Sequence, residues 1–387
     1  MAESSAIGIL FRNHDNWTGG TYYLLNVVHA LAALPVDRQP KIVVFLENFS
    51  DEKLFSETRC QQLSILPIIP EQGRTLALIN SFSQHLFSRS VVNPVHASDT
   101  VSAVFPYGLE KSLKNVHRKV CWIPDFQEHF HPEFFSPSLI RSRRSHHEQL
   151  IGRKVPIVLS SLQAEKDFRF IYPKARNETF VVSFATWHPD YHQIDLADVL
   201  RKYCINEPYV ITPNQFWKHK NHGVLLEAFR LLRNNSCLQL VLTGREHDFR
   251  HPNYPQQLRS MAADYGLSHQ VRFLGFIDRR EQLKLMQHAL AVIQPSLFEG
   301  WNTGIEDAKA MSQRIIASDI AVHLEQLVSY PDAIFFSPRD AESLAVVLRR
   351  LESASSKRIE YDYESLRRAF GERFLCAVRS NRFNEPS

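Results

Sequence analysis

Eleven short apolar runs constrain this chain more than any other feature. They are Ala6–Phe11, Lys41–Leu46, Val101–Phe105, Lys119–Ile123 and Pro156–Leu159, then Tyr209–Thr212, Leu238–Leu242, Val271–Leu274, Ala291–Gln294, Arg314–Ala317 and Ala333–Phe336. Most are unbroken Val/Ile/Leu/Phe stretches, not apolar–polar alternations. Such runs suit strands buried on both faces, as in parallel sheets. Helical patterns lie between them, including Tyr22–Ala33, Gly223–Leu232 and Asp278–His288. Strand–helix–strand repetition predicts an α/β fold of doubly wound sheets. The two series predict two Rossmann-like domains, residues 1–190 and 207–360. The polar stretch Thr186–Asn206 falls at the break, and an amphipathic helical segment, 361–387, follows. A chain of 387 residues is long enough for two such cores.

Composition excludes several classes. Hydrophobic residues are 44% and charged residues 22%, as in globular proteins and unlike disordered or coiled-coil chains. No stretch reaches the roughly 18–20 apolar residues of a membrane span. The opening MAESSAIGILFRNHD lacks the basic and apolar regions of a secretory signal. A net charge of +4 is too small to imply nucleic acid as a partner. The five cysteines, Cys60, Cys121, Cys204, Cys237 and Cys376, are scattered without a Cys-x-x-Cys pair. That argues against a disulfide framework or structural zinc and points to the cytoplasm. No His-Glu-x-x-His occurs, and no Asp-x-Asp is present to hold a divalent metal on a sugar nucleotide, so no metal and no cofactor are expected. The basic cluster Arg141–His147 suits a solvated face, or contact with an acidic acceptor or anionic lipid headgroups. That leaves peripheral contact with the inner face of a membrane open.

The most informative segment is Ser296–Asp319, SLFEGWNTGIEDAKAMSQRIIASD. A strand runs into a Gly-containing loop, and a helix opens near Thr303–Ile305. Free N–H groups at a helix N-terminus make an anion site, and diphosphate is a common guest. Glu299 before the loop and Asp307 one turn into the helix suit hydroxyl groups instead. A ligand with hydroxyl-rich ends and a charged middle is a nucleotide sugar. The plain structural alternative is an acidic helix N-terminus stabilised by its dipole.

This segment resembles the E-x7-E element of retaining glycosyltransferases of the GT-B fold (family 4, group 1-like), the class that includes glycogen and sucrose synthases. The resemblance implies that Glu299 grips the sugar, Asp307 holds the ribose, and Gly300, Trp301, Asn302, Thr303 and Gly304 line hexose and diphosphate. Asp307 departs from the family's Glu, and Glu306 stands in reserve one residue earlier. In Tyr209–Phe229 the family places an Arg and, five residues later, a Lys on the donor diphosphate. Lys220 falls on the Lys position and Gln215 on the Arg position, with Lys218 able to supply the missing charge.

In Asn13–Leu31, Gly19 and Gly20 sit where the family turns a loop toward the donor phosphates. A full G-x-G-x-x-G is absent, which weakens a dehydrogenase reading. In Cys121–Phe135 the family's His-Asp pair reads Pro124-Asp125, which makes Asp125 an acceptor-side or sugar-side residue and His129 a weaker candidate. Ser160, Ser161 and Asp167 resemble a further family stretch, Gly244 ends a strand near donor contacts, and Phe276 lies in the loop that meets the base. Matches run in order from Gly19 to about Gln326.

The resemblance therefore implies a metal-independent, retaining hexosyltransferase of polysaccharide biosynthesis. It would use a nucleoside-diphosphate sugar as co-substrate and a glycan or lipid-linked hydroxyl acceptor. The catalytic candidates are Glu299, Lys220 and Asp125. Two other readings compete: a catalytically silent nucleotide-sugar-binding partner subunit, and a GT-B-fold nucleotide-sugar epimerase.

Overall fold

Parallel pairing of the apolar runs builds the whole molecule. The computed structural model describes residues 6–13, 18–68, 101–108, 116–232, 236–352 and 359–379. The first five residues, positions 14–17 and the tail 380–387 of the expected terminal segment lie outside the described residues.

In the N-terminal domain, β1 (Ala6–Phe11), α1 (Thr18–Ala32), β2 (Ile42–Leu46), β3 (Leu63–Pro67), β4 (Val101–Phe105) and β5 (Arg118–Lys119) give a sheet of order β3-β2-β1-β4-β5. Then β6 (Cys121–Ile123), α2 (Gln127–Phe130), α3 (Pro137–Gly152), β7 (Ile157–Leu159), α4 (Leu162–Ile171) and β8 (Thr179–Val181) add a sheet of order β6-β7-β8. The single strand expected over Lys119–Ile123 is divided between these ladders. Val120 N–H bonds Val104 O at 3.0 Å, whereas Cys121 N–H bonds Pro156 O at 2.9 Å. The segment thus hands the chain from one ladder to the next. β3 and β8 were not expected, because both are only half buried and carry no unbroken apolar run.

The C-terminal domain holds α5 (Leu196–Tyr203), β9 (Tyr209–Pro213), α6 (His222–Leu232), β10 (Gln239–Thr243), α7 (Tyr254–Asp264), β11 (Val271–Gly275) and α8 (Arg279–His288). β12 (Val292–Gln294), α9 (Thr303–Ala310), β13 (Ile315–Ser318), α10 (Ala321–Gln326), β14 (Ala333–Phe336) and α11 (Ala341–Glu352) complete it. The sheet order is β11-β10-β9-β12-β13-β14 and every described pairing is parallel. The order reverses between β9 and β12, the switch point where α/β sheets bind ligands. This is the doubly wound architecture expected from the strand pattern, in the two-domain GT-B form that the resemblance implies.

α5 falls inside the polar stretch between the expected domains. It packs on α8, with Lys202 and Tyr203 both bonding Glu281, and so sides with the C-terminal sheet. α12 (Tyr363–Arg379) crosses to the other domain and packs on α1. Phe370, Phe374, Ala377 and Val378 join the N-terminal core. Among the described residues, no helix is long and apolar enough to cross a membrane.

Candidate functional site

A cleft of about 730 Å³ lies between the domains, at the carboxyl ends of their strands. Its geometry begins at β12. After Gln294 the chain turns through Ser296 and Glu299 into α9, whose N-cap is Asn302; the Asn302 side chain accepts from Ile305 N–H at 3.1 Å. Facing it, β9 ends in the loop Asn214–Trp217 and a short 3-10 turn, Lys218–Lys220. Lys220 Nζ donates to Glu299 Oε1 at 2.6 Å. The same oxygen accepts from Ser296 Oγ at 2.6 Å and Asn302 Nδ2 at 3.1 Å. Among the described residues Oε1 takes all three of the carboxylate's protein donors and Oε2 takes none.

Two glycines let the backbones close in. Gly244 has φ +141°, and a Cβ there would lie 2.1 Å from Asn214 O. Gly300 meets the opposite domain: a Cβ would lie 2.4 Å from Pro124 O and 3.0 Å from Asp125 Cβ. Trp301 bridges the same gap, its indole N–H donating to Phe184 O at 2.9 Å.

Of the residues singled out in the sequence, Gly19, Gly20, Asp125, Gln215, Lys220, Gly244, Phe276, Glu299, Gly300, Trp301, Asn302, Thr303, Gly304 and Asp307 line this cleft. Gly19 and Gly20 do so from the first turn of α1, not from a loop before it, because that helix starts at Thr18. First-turn N–H groups have no intrahelical partner. Gln215 Nε2 is buried without a hydrogen-bond partner among the described residues. Lys218 is not part of the lining. A 3-10 turn advances about 120° per residue, so Lys218 and Lys220 point in different directions.

Asp307 lines the cleft with one of its oxygens engaged by the protein. Its Oδ1 accepts from Arg279 Nη2 at 2.6 Å and Thr186 Oγ1 at 2.9 Å, with His188 Nε2 at 3.1 Å. Burial alone would raise its pKa, but the Arg279 charge and the His188 contact outweigh that and hold the carboxyl well below the usual carboxylate range. Glu306, the reserve, does not line the cleft. It is 1% exposed and bonds Lys309, Gln326 and Tyr363.

On the opposite wall, Asp125 Oδ1 accepts from Gln127 N–H at 3.0 Å and from Arg143 Nη2 at 3.1 Å. His129 packs against Phe130 and Phe170, outside the lining. Ser160 lines the cleft and accepts from Trp122 Nε1, whereas Ser161 only caps α4, accepting from Ala164 N–H. The basic cluster lies on α3; Ser142, Arg143, His146 and His147 reach the cleft and the rest of it faces solvent.

Sequence reasoning missed Arg279 and Arg250. Arg279 lies 5.1 Å over the Tyr22 ring of the other domain. Arg250 pairs with the fully buried Asp248 and lies about 5 Å from the Phe135 and Trp217 rings, one from each domain. The charged doublet Asp278-Arg279 after the β11 loop was a usable signal for the first; nothing local marked the second. Among the described residues, no group of three or more His, Cys, Asp or Glu side chains could hold a metal ion.

Residues 202–368 match the family described as glycosyl transferases group 1. The O-antigen chain mannosyltransferase RfbU of Salmonella typhimurium is 24% identical over 188 residues, 47% of this chain and 50% of that protein. Glycogen synthase of Mycobacterium tuberculosis is 26% identical over 179 residues, 43% of this chain and 41% of that protein. The chain thus spans about half the length of these curated relatives. Among solved structures, Anabaena HepE in complex with UDP and glucose superposes with a TM-score of 0.62 at 18% identity, over 96% of this chain and 95% of that one. The chain thus carries a C-terminal domain that matches the group 1 glycosyl transferase family, within the two-domain GT-B fold of these solved structures.

Proposed function

We propose that this protein is a metal-independent, retaining glycosyltransferase that moves a hexose from a nucleoside-diphosphate donor to a hydroxyl acceptor on a glycan or lipid-linked glycan. One observation carries the reading: the ammonium of Lys220 and the carboxylate of Glu299 meet at 2.6 Å beside the N-terminus of α9, within a two-domain cleft. A cation beside a helix N-terminus suits a diphosphate, and a carboxylate with one open oxygen suits sugar hydroxyls. The group 1 match and a structural neighbour in complex with UDP and glucose support the same ligand class.

The chemistry asked of these residues is electrostatic. The C1–O bond to the β-phosphate breaks, and negative charge grows on the leaving diphosphate. Lys220, the free N–H groups of α9 and the Gln215 amide are fixed donors to receive it. Each such donor is worth on the order of 10²-fold in rate. The acceptor oxygen bonds C1 on the face the diphosphate leaves, and the acceptor proton passes to the departing phosphate oxygen. Retention follows without a protein nucleophile. Asp125, held by Arg143 across the cleft from Gly300, orients the acceptor hydroxyl. Trp301 and the Gly300–Pro124 contact keep water out. The basic face of α3 provides for peripheral contact with a membrane that carries such an acceptor.

The test is a thermal-shift screen with UDP-, GDP-, ADP- and TDP-sugars, followed by nucleoside diphosphate release with the donor that stabilises the fold. Retention is read from the anomeric configuration of the product. Absence of any donor-dependent shift refutes the proposal. Release of a rearranged free sugar assigns an epimerase. Donor binding with no release across many acceptors assigns a silent binding subunit, a reading that the Gln215 departure favours.

A further inference from the structure

We propose that His323, which does not touch the cleft, is a positioning residue that fixes the orientation of Glu299 through the side-chain amide of Asn302. The proposal rests on the reading of Glu299 as the sugar-binding carboxylate.

His323 is fully buried on α10. Its Nδ1 lies 3.0 Å from both Ser318 O and Ser318 Oγ. The Ser318 hydroxyl proton is already committed, since Oγ donates to Ser296 O at 2.6 Å. Oγ can therefore only accept from the ring, and Ser318 O is an acceptor by nature. The ring proton must sit on Nδ1. That leaves Nε2 as a lone pair, 3.2 Å from Asn302 Nδ2. Burial holds the imidazole neutral, its pKa lowered to about 3.

An acceptor at Nε2 decides which way the Asn302 amide faces. Its NH2 group reaches His323 Nε2, Gln294 Oε1 at 3.0 Å and Glu299 Oε1 at 3.1 Å, while its oxygen caps Ile305 N–H. A flipped amide would set an oxygen against the carboxylate and against the imidazole lone pair. It would also lose the helix cap. Ser318 acts on the same carboxylate by a second route: it holds the backbone of Ser296, whose hydroxyl bonds Glu299 Oε1. One buried ring thus keeps Oε1 engaged and Oε2 turned to the ligand.

The variants are His323→Leu, which keeps bulk but loses both polar atoms, and His323→Gln, whose amide oxygen can replace the Nε2 acceptor. With whichever of UDP-glucose, GDP-mannose, ADP-glucose and TDP-glucose the wild type turns over fastest, His323→Leu is expected to lose about tenfold in kcat/KM, about the value of one neutral hydrogen bond. His323→Gln is expected to recover most of that loss at equal Tm. In a Glu299→Gln background, His323→Leu is expected to add nothing further. Equal losses in both backgrounds, or a Leu variant with wild-type kcat/KM, overturn the relay while leaving the function intact. Wild-type turnover in Glu299→Gln overturns the underlying reading instead. The ring itself gives an activity-free check: long-range 1H–15N spectra should show Nδ1 protonated and Nε2 bare from pH 5 to 8. A protonated Nε2 refutes the proposal.

Discussion

The Lys220–Glu299 pair allows stability and function to be separated in one double-mutant cycle. The side chains are 16% and 8% exposed and the charges are 2.6 Å apart. At an effective dielectric of about 20, the gross attraction is about 6 kcal/mol, most of it offset by desolvation. Breaking a buried pair from one side typically costs about 3–5 kcal/mol, because the other charge stays buried alone. Here water reaches the ammonium, and Ser296 and Asn302 still serve the carboxylate, so Lys220→Met should cost about 2 kcal/mol. That is a fall in Tm of about 4–8 °C for a domain of this size. Glu299→Gln should cost less, since the amide can still accept from Lys220 and Asn302. The double variant buries no lone charge and should regain most of the stability. Activity should behave differently. Each single variant and the double should lose about 10²–10³-fold in nucleoside diphosphate release, because each removes a group that meets the donor. Thermal unfolding followed by circular dichroism gives the first axis, and coupled release of nucleoside diphosphate gives the second. If the double variant recovers activity along with stability, the pair is structural and the assignment of the site fails.

Three more outcomes are expected. Gly300→Ala should prise the domains apart by about 1 Å, since its Cβ would sit 2.4 Å from Pro124 O; kcat/KM should fall by about 10²-fold, and near-native turnover would show that this contact does not set the reactive geometry. Asp307→Asn should leave Arg279 buried without its counter-charge and lower stability by about 3 kcal/mol, read as the urea midpoint at constant slope; an unchanged midpoint would mean that the pair contributes nothing. Acid should destabilise the fold below about pH 6.5: burial holds His29, His147, His222 and His323 neutral down to about pH 3, whereas the unfolded chain binds those protons near pH 6.5. Each group then costs about 1.4 kcal/mol per pH unit inside that window and nothing above it, so urea midpoints flat from pH 6.5 to 4.5 would contradict these burials.

The sequence alone determined the fold class and much of the C-terminal wall of the cleft. Unbroken runs such as Ile42–Leu46 are strands because a doubly covered parallel sheet buries both their faces. Glu299, Gly300 and Asn302 were legible because strand, loop and helix N-terminus follow one another within a few residues, so spacing is geometry there. Tertiary structure decided what depends on distant partners. Asp307 and Lys220 each bring a single charge, of opposite sign, in the sequence. Both line the cleft, yet Arg279, Thr186 and His188 fold in around the first, while the second meets only Glu299 among carboxylates. The separate directions of Lys218 and Lys220, the clasp of Arg250 by rings from two domains, and the buried His323 behind Glu299 arise the same way. Side-chain charge and hydrogen-bonding capacity are local properties, but whether they are spent on the protein or left for a ligand is fixed by which remote groups the folded chain brings within about 3 Å.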